Sequence, residues 1–349
     1  MDEQEPNQSR RVRYKGTHPK SFKDKYKELN PEQYAQDIEK VMQQGRTPAG
    51  MHRSICVNEI MDFLQITPGQ TGLDATLGYG GHSLEILKCL LPGGRLFATD
   101  VDPFELPRTR DRLASFGYGP EVLAIRKMNF SGIDQIAAEA GPLDFVLADL
   151  GVSSMQIDNP ERGFSFKIEG PLDLRLNPKS GKSAASLLKT ITQHQLEILL
   201  VENADEPHFQ RIAKAIVSKI DQGIAIETTK QLQETIKEAL ESLPFNDPKE
   251  ELKKSCQRCF QALRIAVNDE FGVLDKFLQK LPFALASGGR VAILSFHSGE
   301  DRRVKKSFQG LFREGIYKEV APDPIRPTAQ ESNANPRARS AKLRWAIKA

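Results

Sequence analysis

The chain has 349 residues, 39% of them hydrophobic and 27% charged, which suits one large or two ordinary domains of a soluble globular protein. No apolar run reaches the roughly 18 residues of a spanning helix, and the polar, basic start does not read as a secretory signal. Four cysteines (Cys56, Cys89, Cys256, Cys259) set up no disulfide framework, so a cytoplasmic protein with no membrane partner is expected. The net charge is only +3, but the cations are clustered. Eight Lys or Arg and one Asp lie between Arg10 and Lys27, five cations and no acid follow Asn333, and Arg302, Arg303, Lys305 and Lys306 form a third group. Such clusters point to a phosphate-rich partner, or else to solubilising tails.

In chain order, residues 1–30 read as extended, with Asn30-Pro31-Glu32 as a helix start and a short helix to about Gln44. Regular structure begins near His52. The pattern then alternates: helix Ile55–Leu64, strand Thr71–Thr76, helix His82–Leu91, strand Arg95–Asp100, helix Pro103–Phe116, strand Glu121–Arg126, helix 131–140 and strand 143–150. Strands separated by helices predict a parallel, doubly wound α/β sheet. From 160 to 260 only helical patterns occur (183–201, 205–221, 228–241), too long a stretch for a loop. A long helix over 258–284, a strand Arg290–Phe296 preceded by Gly288-Gly289, and a helix over 299–313 resume the alternation. Residues 314–339 look irregular. The last segment alternates Ala341, Leu343, Trp345 and Ile347 with Lys342, Arg344 and Lys348, which predicts an edge or penultimate strand with a basic outer face.

Chemistry gathers where these strands end. Asp74-Ala-Thr-Leu-Gly78-Tyr-Gly80-Gly81-His82 joins a strand to a helix, and its glycines allow close approach of a ligand to the backbone. The spacing is not that of dinucleotide binders. Asp100, ending the next strand, is placed to accept hydrogen bonds from ribose hydroxyls. With the acidic Asp74, this pair favours S-adenosylmethionine (SAM), a cationic nucleoside, over NAD. A plain packing turn beside an exposed Asp is the bland alternative. The run Asp144-Phe-Val-Leu-Ala-Asp149-Leu-Gly-Val-Ser153-Ser154, continuing to Gln156, delivers a carboxylate, two hydroxyls and an amide to the same crevice. An exocyclic amine is a poor nucleophile because its lone pair is delocalised. Acceptors on its N–H groups, here Asp149, the Leu150 carbonyl, Ser153 and Ser154, would restore it. Asp149 as a turn cap or cofactor contact is the competing reading.

Arg162-Gly-Phe164-Ser-Phe166 and Asp173-Leu-Arg175 offer aromatics to stack on an everted base and charges to pair with it or with phosphate. Core packing and a plain salt bridge are the simpler roles. His297 with Ser298 and Asp301 lacks a nucleophile elbow. Ser298 is expected to cap a helix with Asp301 completing the box, and His297 to line the substrate site. Cys256-x-x-Cys259 has no second pair and reads as structural, so no metal is expected.

These segments together resemble the RsmH (MraW) family, the ribosomal RNA small-subunit methyltransferases that form N4-methylcytidine in the decoding centre. The likeness runs from about His52 to Lys348 and rests on DATLGYGGHS, ATDVDP, DLGVSSMQID, ERGFSF, GPLDLRLNP, FQALRIAVNDE, GGRVAILSFHSGEDRRVK and NPRARSAKLR. It implies a class I SAM-dependent methyltransferase fold, Rossmann-like, with an inserted all-helical subdomain. The organisation it implies is 1–50 as a basic extension, 51–160 and 260–349 as the methyltransferase domain, and 161–259 as the insert for substrate recognition. By motif position it implies cofactor contacts from Gly80, Gly81, His82, Asp100, Phe130, Asp149 and Gln156, and 16S rRNA in the small ribosomal subunit as partner. The chain departs from the family in its basic extension, in His52-Arg53-Ser54, in Gly299 where leucine is usual, in LDLRLNP, and in a short 314–332. These departures spare the cofactor motifs and touch substrate-side segments. Two other classes stay open: the same chemistry on another RNA or on DNA, and a non-catalytic RNA-binding or ribosome assembly factor of this fold. The oligomeric state is not read from the sequence.

Overall fold

The computed structural model describes residues 54–349; the basic extension and the short helix expected before Gln44 lie outside the described residues. In chain order the elements are α1 (Val57–Leu64), β1 (Thr71–Asp74), α2 (Gly81–Leu90), β2 (Arg95–Asp100), α3 (Glu105–Ser115), β3 (Leu123–Lys127), α4 (Ile133–Ala140), β4 (Leu143–Asp149) and α5 (Ser154–Asp158). Then come α6 (Ala184–Leu188), α7 (Gln193–Ala204), α8 (Phe209–Asp221), α9 (Thr229–Leu240), α10 (Pro248–Asn268) and α11 (Glu270–Ala284). The chain returns through β5 (Leu285–Ser295), α12 (Ser298–Arg313), β6 (Tyr317–Val320), α13 (Ala329–Ala334) and β7 (Lys342–Lys348).

The strands form one sheet in the order β3-β2-β1-β4-β5-β7-β6. β1 to β5 are parallel, and β7 runs antiparallel between β5 and β6. The order reverses at β1, which pairs with β2 on one side and β4 on the other. The crevice beyond the carboxyl ends of β1 and β4 is therefore the ligand position of an open α/β sheet. Alternation along each strand separates two cores. Leu73, Phe97, Val146, Ala148 and Ile293 pack under α4, α11 and α12. Leu96, Ala98, Phe145, Leu147 and Leu294 pack under α1, α2 and α3. A third core, from Leu172 to Leu263, belongs to the helical insert and draws on α6 to α10.

Local chemistry sets most boundaries. Thr192 and Thr228 cap α7 and α9 in reciprocal boxes with Gln195 and Gln231, each worth on the order of 1 kcal/mol. The single helix expected over 258–284 is two. Asp247 caps Pro248 to start α10 ten residues earlier, and Asp269, at φ 49, turns the chain between α10 and α11. A left-handed aspartate leaves no glycine signal for that break. The expected insert boundary at 260 falls inside α10, whose Cys256, Cys259 and Phe260 pack in the insert. β5 begins before the two glycines rather than after them, with its register against β4 shifting between Leu143 and Phe145. The segment expected to be irregular holds β6, α13 and a 3-10 turn, Pro336–Ser340. β6 has four residues and one partner, too little for a sequence pattern.

β7 is the penultimate strand, but its cations do not form an outer basic face. Arg344 and Lys342 both bind Asp301, Arg344 from a buried position, and the Lys348 ammonium donates to the Pro282 carbonyl. Phe277, fully buried where α11 meets the sheet, carries much of that core. Phe277→Ala is expected to cost about 3–5 kcal/mol in urea unfolding with little change in the m-value.

Candidate functional site

A cleft of about 690 Å³, open mouth included, lies over the carboxyl ends of the strands. Ala75, Thr76, Asp100, Val101, Met128, Asn129, Phe130, Leu150, Gly151 and Gln156 form the sheet side. Leu176, Asn268, Glu270, Val273, Leu274 and Glu300 close it from the insert root, α11 and α12. Phe130 stands on a 3-10 turn capped by the Asn129 side chain and packs edge-on against Phe277 at 5.2 Å. Its wall, with Met128 and Leu274, is apolar.

Asp100 ends β2 and holds the glycine turn. Its carboxylate accepts the N–H groups of Gly78 and Asp102, each at 2.8 Å. Burial pushes its pKa up against these hydrogen bonds. Each oxygen keeps a second lone pair for a ligand. Gly80 is the residue before α2, at φ 72, and a Cβ there would meet Thr109 Cγ2 at 2.9 Å. Gly81 opens the helix.

Asp149 and Leu150 part company at the end of β4. Leu150 follows Val146 and Ala148 into the cleft. Asp149 follows Phe145 and Leu147 to the α2 side, where its Oδ2 lies 3.5 Å from His82 Nε2. The two sides stay joined, because the Asp149 N–H donates to Thr76 Oγ1 at 2.6 Å. Asp149 Oδ1 and His82 Nε2 are buried and accept or donate no hydrogen bond among the described residues. Burial alone would lower the His82 pKa. The Asp149 and Asp74 carboxylates outweigh it, and the net shift is upward. Asp74, expected to face a cationic ligand, is instead buried. It accepts from Ser83 Oγ at 2.6 Å and from the Thr76 N–H, and serves the turn.

Several expected substrate residues have internal work. Ser153 caps α5 in a reciprocal box with Gln156, so its hydroxyl is committed, while Ser154 is half-buried at the first helical position. Phe164 and Phe166 pack on the insert core, Phe166 edge-on against Phe260 at 5.8 Å, and neither lines the cleft. Asp173 and Arg175 bind each other at 2.6 and 2.8 Å. His297, not Ser298, is the cap residue of α12. It sits 3.2 Å from Glu300, which lines the cleft, and Asp301 turns away to Arg344 instead of completing a box. Cys256 is a buried insert residue whose thiol pKa burial pushes up to about 12.

The hub that the sequence reading misses is Asp102. It is 1% exposed and accepts from Gln156 Nε2 at 2.8 Å, Arg162 Nη1 at 2.7 Å and the Phe104 N–H at 2.9 Å. Burial would push this carboxyl up, yet the Gln156 and Arg162 hydrogen bonds and the Arg162 charge hold it below the usual range. Arg162 also donates to the carbonyls of Arg175 and Leu176. Asn268 bonds the same strap through the Leu176 N–H and the Leu174 carbonyl. The Asp100-x-Asp102 spacing is the signal that could have found it, since a second acid two residues after a strand's last carboxylate needs a partner if buried.

A family model described as the MraW methylase family matches residues 49–349. The chain belongs to this family. It is 69% identical over 349 residues to "Ribosomal RNA small subunit methyltransferase H 2" of Alkaliphilus metalliredigens, covering 100% of both chains. It is 64% identical over 348 residues to "Ribosomal RNA small subunit methyltransferase H 1" of Lachnoclostridium phytofermentans, covering 100% of this chain and 95% of that one. A crystal structure of a putative rRNA-methylase from Clostridium thermocellum matches 85% of this chain and 100% of its own at 12% identity and a TM-score of 0.43. The class I SAM-dependent methyltransferase fold expected from the sequence is the fold found, with strand order and family membership agreeing.

Two measurements test this geometry. Arg162→Met leaves the Asp102 carboxylate buried without its ion partner, and about 3–5 kcal/mol of stability is expected to be lost in denaturant unfolding. A loss under about 1 kcal/mol, the range of an exposed pair, would show the strut to be idle. For His82, a raised folded-state pKa means stability fully present below about pH 6.5 and lost as pH rises through the higher folded value. Asp149→Asn should bring the His82 titration, followed by NMR, down in pH and remove that window.

Proposed function

We propose that this chain transfers a methyl group from SAM to the N4 amine of a cytidine in 16S rRNA of the small ribosomal subunit. The observation that carries the reading is Asp149 at the carboxyl end of β4, whose buried Oδ1 has no hydrogen-bond partner among the described residues and whose backbone N–H is bonded to Thr76 of the cleft wall. Both relatives quoted above bear names that specify small-subunit rRNA. The residues fit the cofactor. Met128, Phe130 and Leu274 offer an apolar wall for a purine, Asp100 offers acceptors for ribose hydroxyls, and the glycine turn at Gly80-Gly81 lets a ligand approach the start of α2. Gln156 is fixed at the cleft edge by Ser153 and Asp102 and presents little conformational freedom. SAM supplies, when bound, a methyl group already activated on a sulfonium.

The protein's part is then to hold the amine and take its proton. Asp149 Oδ1 accepts an amine N–H, which draws the nitrogen lone pair out of the ring and aligns it for attack. With SAM bound, the amine nitrogen would take the methyl group from its sulfonium, and the amine would give up one proton to a carboxylate or to water. His82 stands 3.5 Å from the other carboxylate oxygen and keeps Asp149 oriented. Arg162, Phe164, Phe166, Asp173 and Arg175 act by shaping the insert beside the cleft rather than by stacking on the base.

The test is nucleoside analysis after incubating purified protein and SAM with small subunits that lack the modification. N4-methylcytidine is expected. Methylation elsewhere, or only on naked RNA or DNA, would refute the target, and no transfer with intact SAM binding would favour an assembly factor. Asp149→Ala should reduce turnover by roughly 100-fold or more, the scale of a lost proton acceptor. Unchanged SAM affinity in that variant places Asp149 on the substrate, and a parallel loss places it on the cofactor.

A further inference from the structure

We propose that the exposed face of α12 is the track that holds the RNA phosphate backbone beside the cleft. This rests on the RNA-methyltransferase reading above and names the surface it requires.

α12 is two-faced. Val304 and Phe308 are buried against the sheet, while Arg302, Lys305, Lys306 and Arg313 are exposed and Arg303 is half-buried. From 302 to 313 the stripe is about 16 Å long at the usual helical rise. It starts at the site, because Glu300 lines the cleft. It also starts where the insert meets the sheet domain, since Ser298 Oγ lies 3.4 Å, and Arg302 3.8 Å, from Asp205 at the end of α7.

Helix stability does not account for these cations. Arg302, Arg303, Lys305 and Lys306 all lie before the last turn, where the helix dipole would favour a cation, and only Arg313 occupies that turn. The acids that would offset them, Glu300 and Asp301, are buried and turned to His297 and Arg344. The surface partners of Arg302 and Arg303 are Asp205 and Asp275, each at 3.8 Å, exposed pairs of the kind worth about 0–1 kcal/mol. Lys305 and Lys306 pair with no acid among the described residues. Three of the five C-terminal cations are drawn off from this role, since Arg337, Lys342 and Arg344 pair with Asp158 and Asp301. Arg339 and Lys348 donate to carbonyls of Ser332 and Pro282.

The experiment measures binding of the full-length protein to a small-subunit rRNA transcript over a salt series. The variant is Arg302→Gln/Lys305→Gln/Lys306→Gln. Removing three phosphate-binding cations should flatten the slope of log K against log salt by about 2, at roughly 0.7 per neutralised phosphate on single strands. Affinity should fall about ten-fold or more at low salt, with SAM affinity unchanged. Lys88→Gln/Arg108→Gln/Arg110→Gln, which removes equal charge from exposed positions on α2 and α3, should leave the slope near wild type. Equal effects from both triples, or no change from the first, overturn the track. Absence of RNA binding by the wild-type protein overturns the reading beneath it.

Discussion

A single buried carboxylate sets the geometry of the site. Asp102 follows β2 by two residues and is hydrogen-bonded by Gln156 from the turn after β4 and by Arg162 from the root of the insert. Two parts of the chain distant in sequence are thereby fixed to the segment that carries Asp100. An ionised carboxylate in that position is costly without partners. Its presence therefore demands that α5 and the insert root dock correctly before the cleft is complete. Arg162 passes the constraint on to the carbonyls of residues 175 and 176, and Leu176 is part of the cleft wall. The insert is thus held to the cofactor side by charge-assisted hydrogen bonds rather than by a shared apolar core, since its own core is separate.

The two-residue period of β4 divides the labour at the crevice. Leu150 goes to the cleft, Asp149 to His82, and Thr76 bonds the backbone between them. A strand that ended one residue earlier or later would swap the two side chains. The carboxylate would then lie against Phe130 and Leu274. The position of Asp149 therefore depends on strand register, which the pairing of Asp149 with Leu294 on β5 fixes.

Much of this is legible in the sequence because parallel strands and amphipathic helices write strong periodicities. β2 is expected at its observed limits, and every strand of the parallel half is anticipated. The ends of polar strands also speak clearly, so Asp100, Asp149 and the glycine turn stand out from the sequence alone. Where the reading fails, the cause is a partner remote in sequence. Nothing near Arg162 announces Asp102, sixty positions earlier, and nothing near Ser298 shows that Asp301 is held by β7. The break at Asp269 has no glycine, and β6 is too short for a period. Phe164 and Phe166 are candidates for stacking because an aromatic pair near a site looks the same in sequence whether it faces a core or a cleft.

Charge is the feature that sequence order describes least well. The last five cations form a run with no acid, which reads as a basic tail. In the fold the acids come from elsewhere: Asp158 from α5 and Asp301 from α12 neutralise Arg337, Lys342 and Arg344. The cluster on α12 reads as basic, although Glu300 and Asp301 sit directly before Arg302. Helical geometry separates them, with both acids inward and the cations outward. Asp301 takes part in both outcomes, drawing two cations of β7 into the interior while its own helix presents positive charge to solvent. A phosphate backbone samples the field outside the surface, where neutralised interior pairs contribute little and exposed cations dominate. A run of cations without acids is therefore not by itself an exposed basic surface, and the distinction follows from which carboxylate each cation reaches.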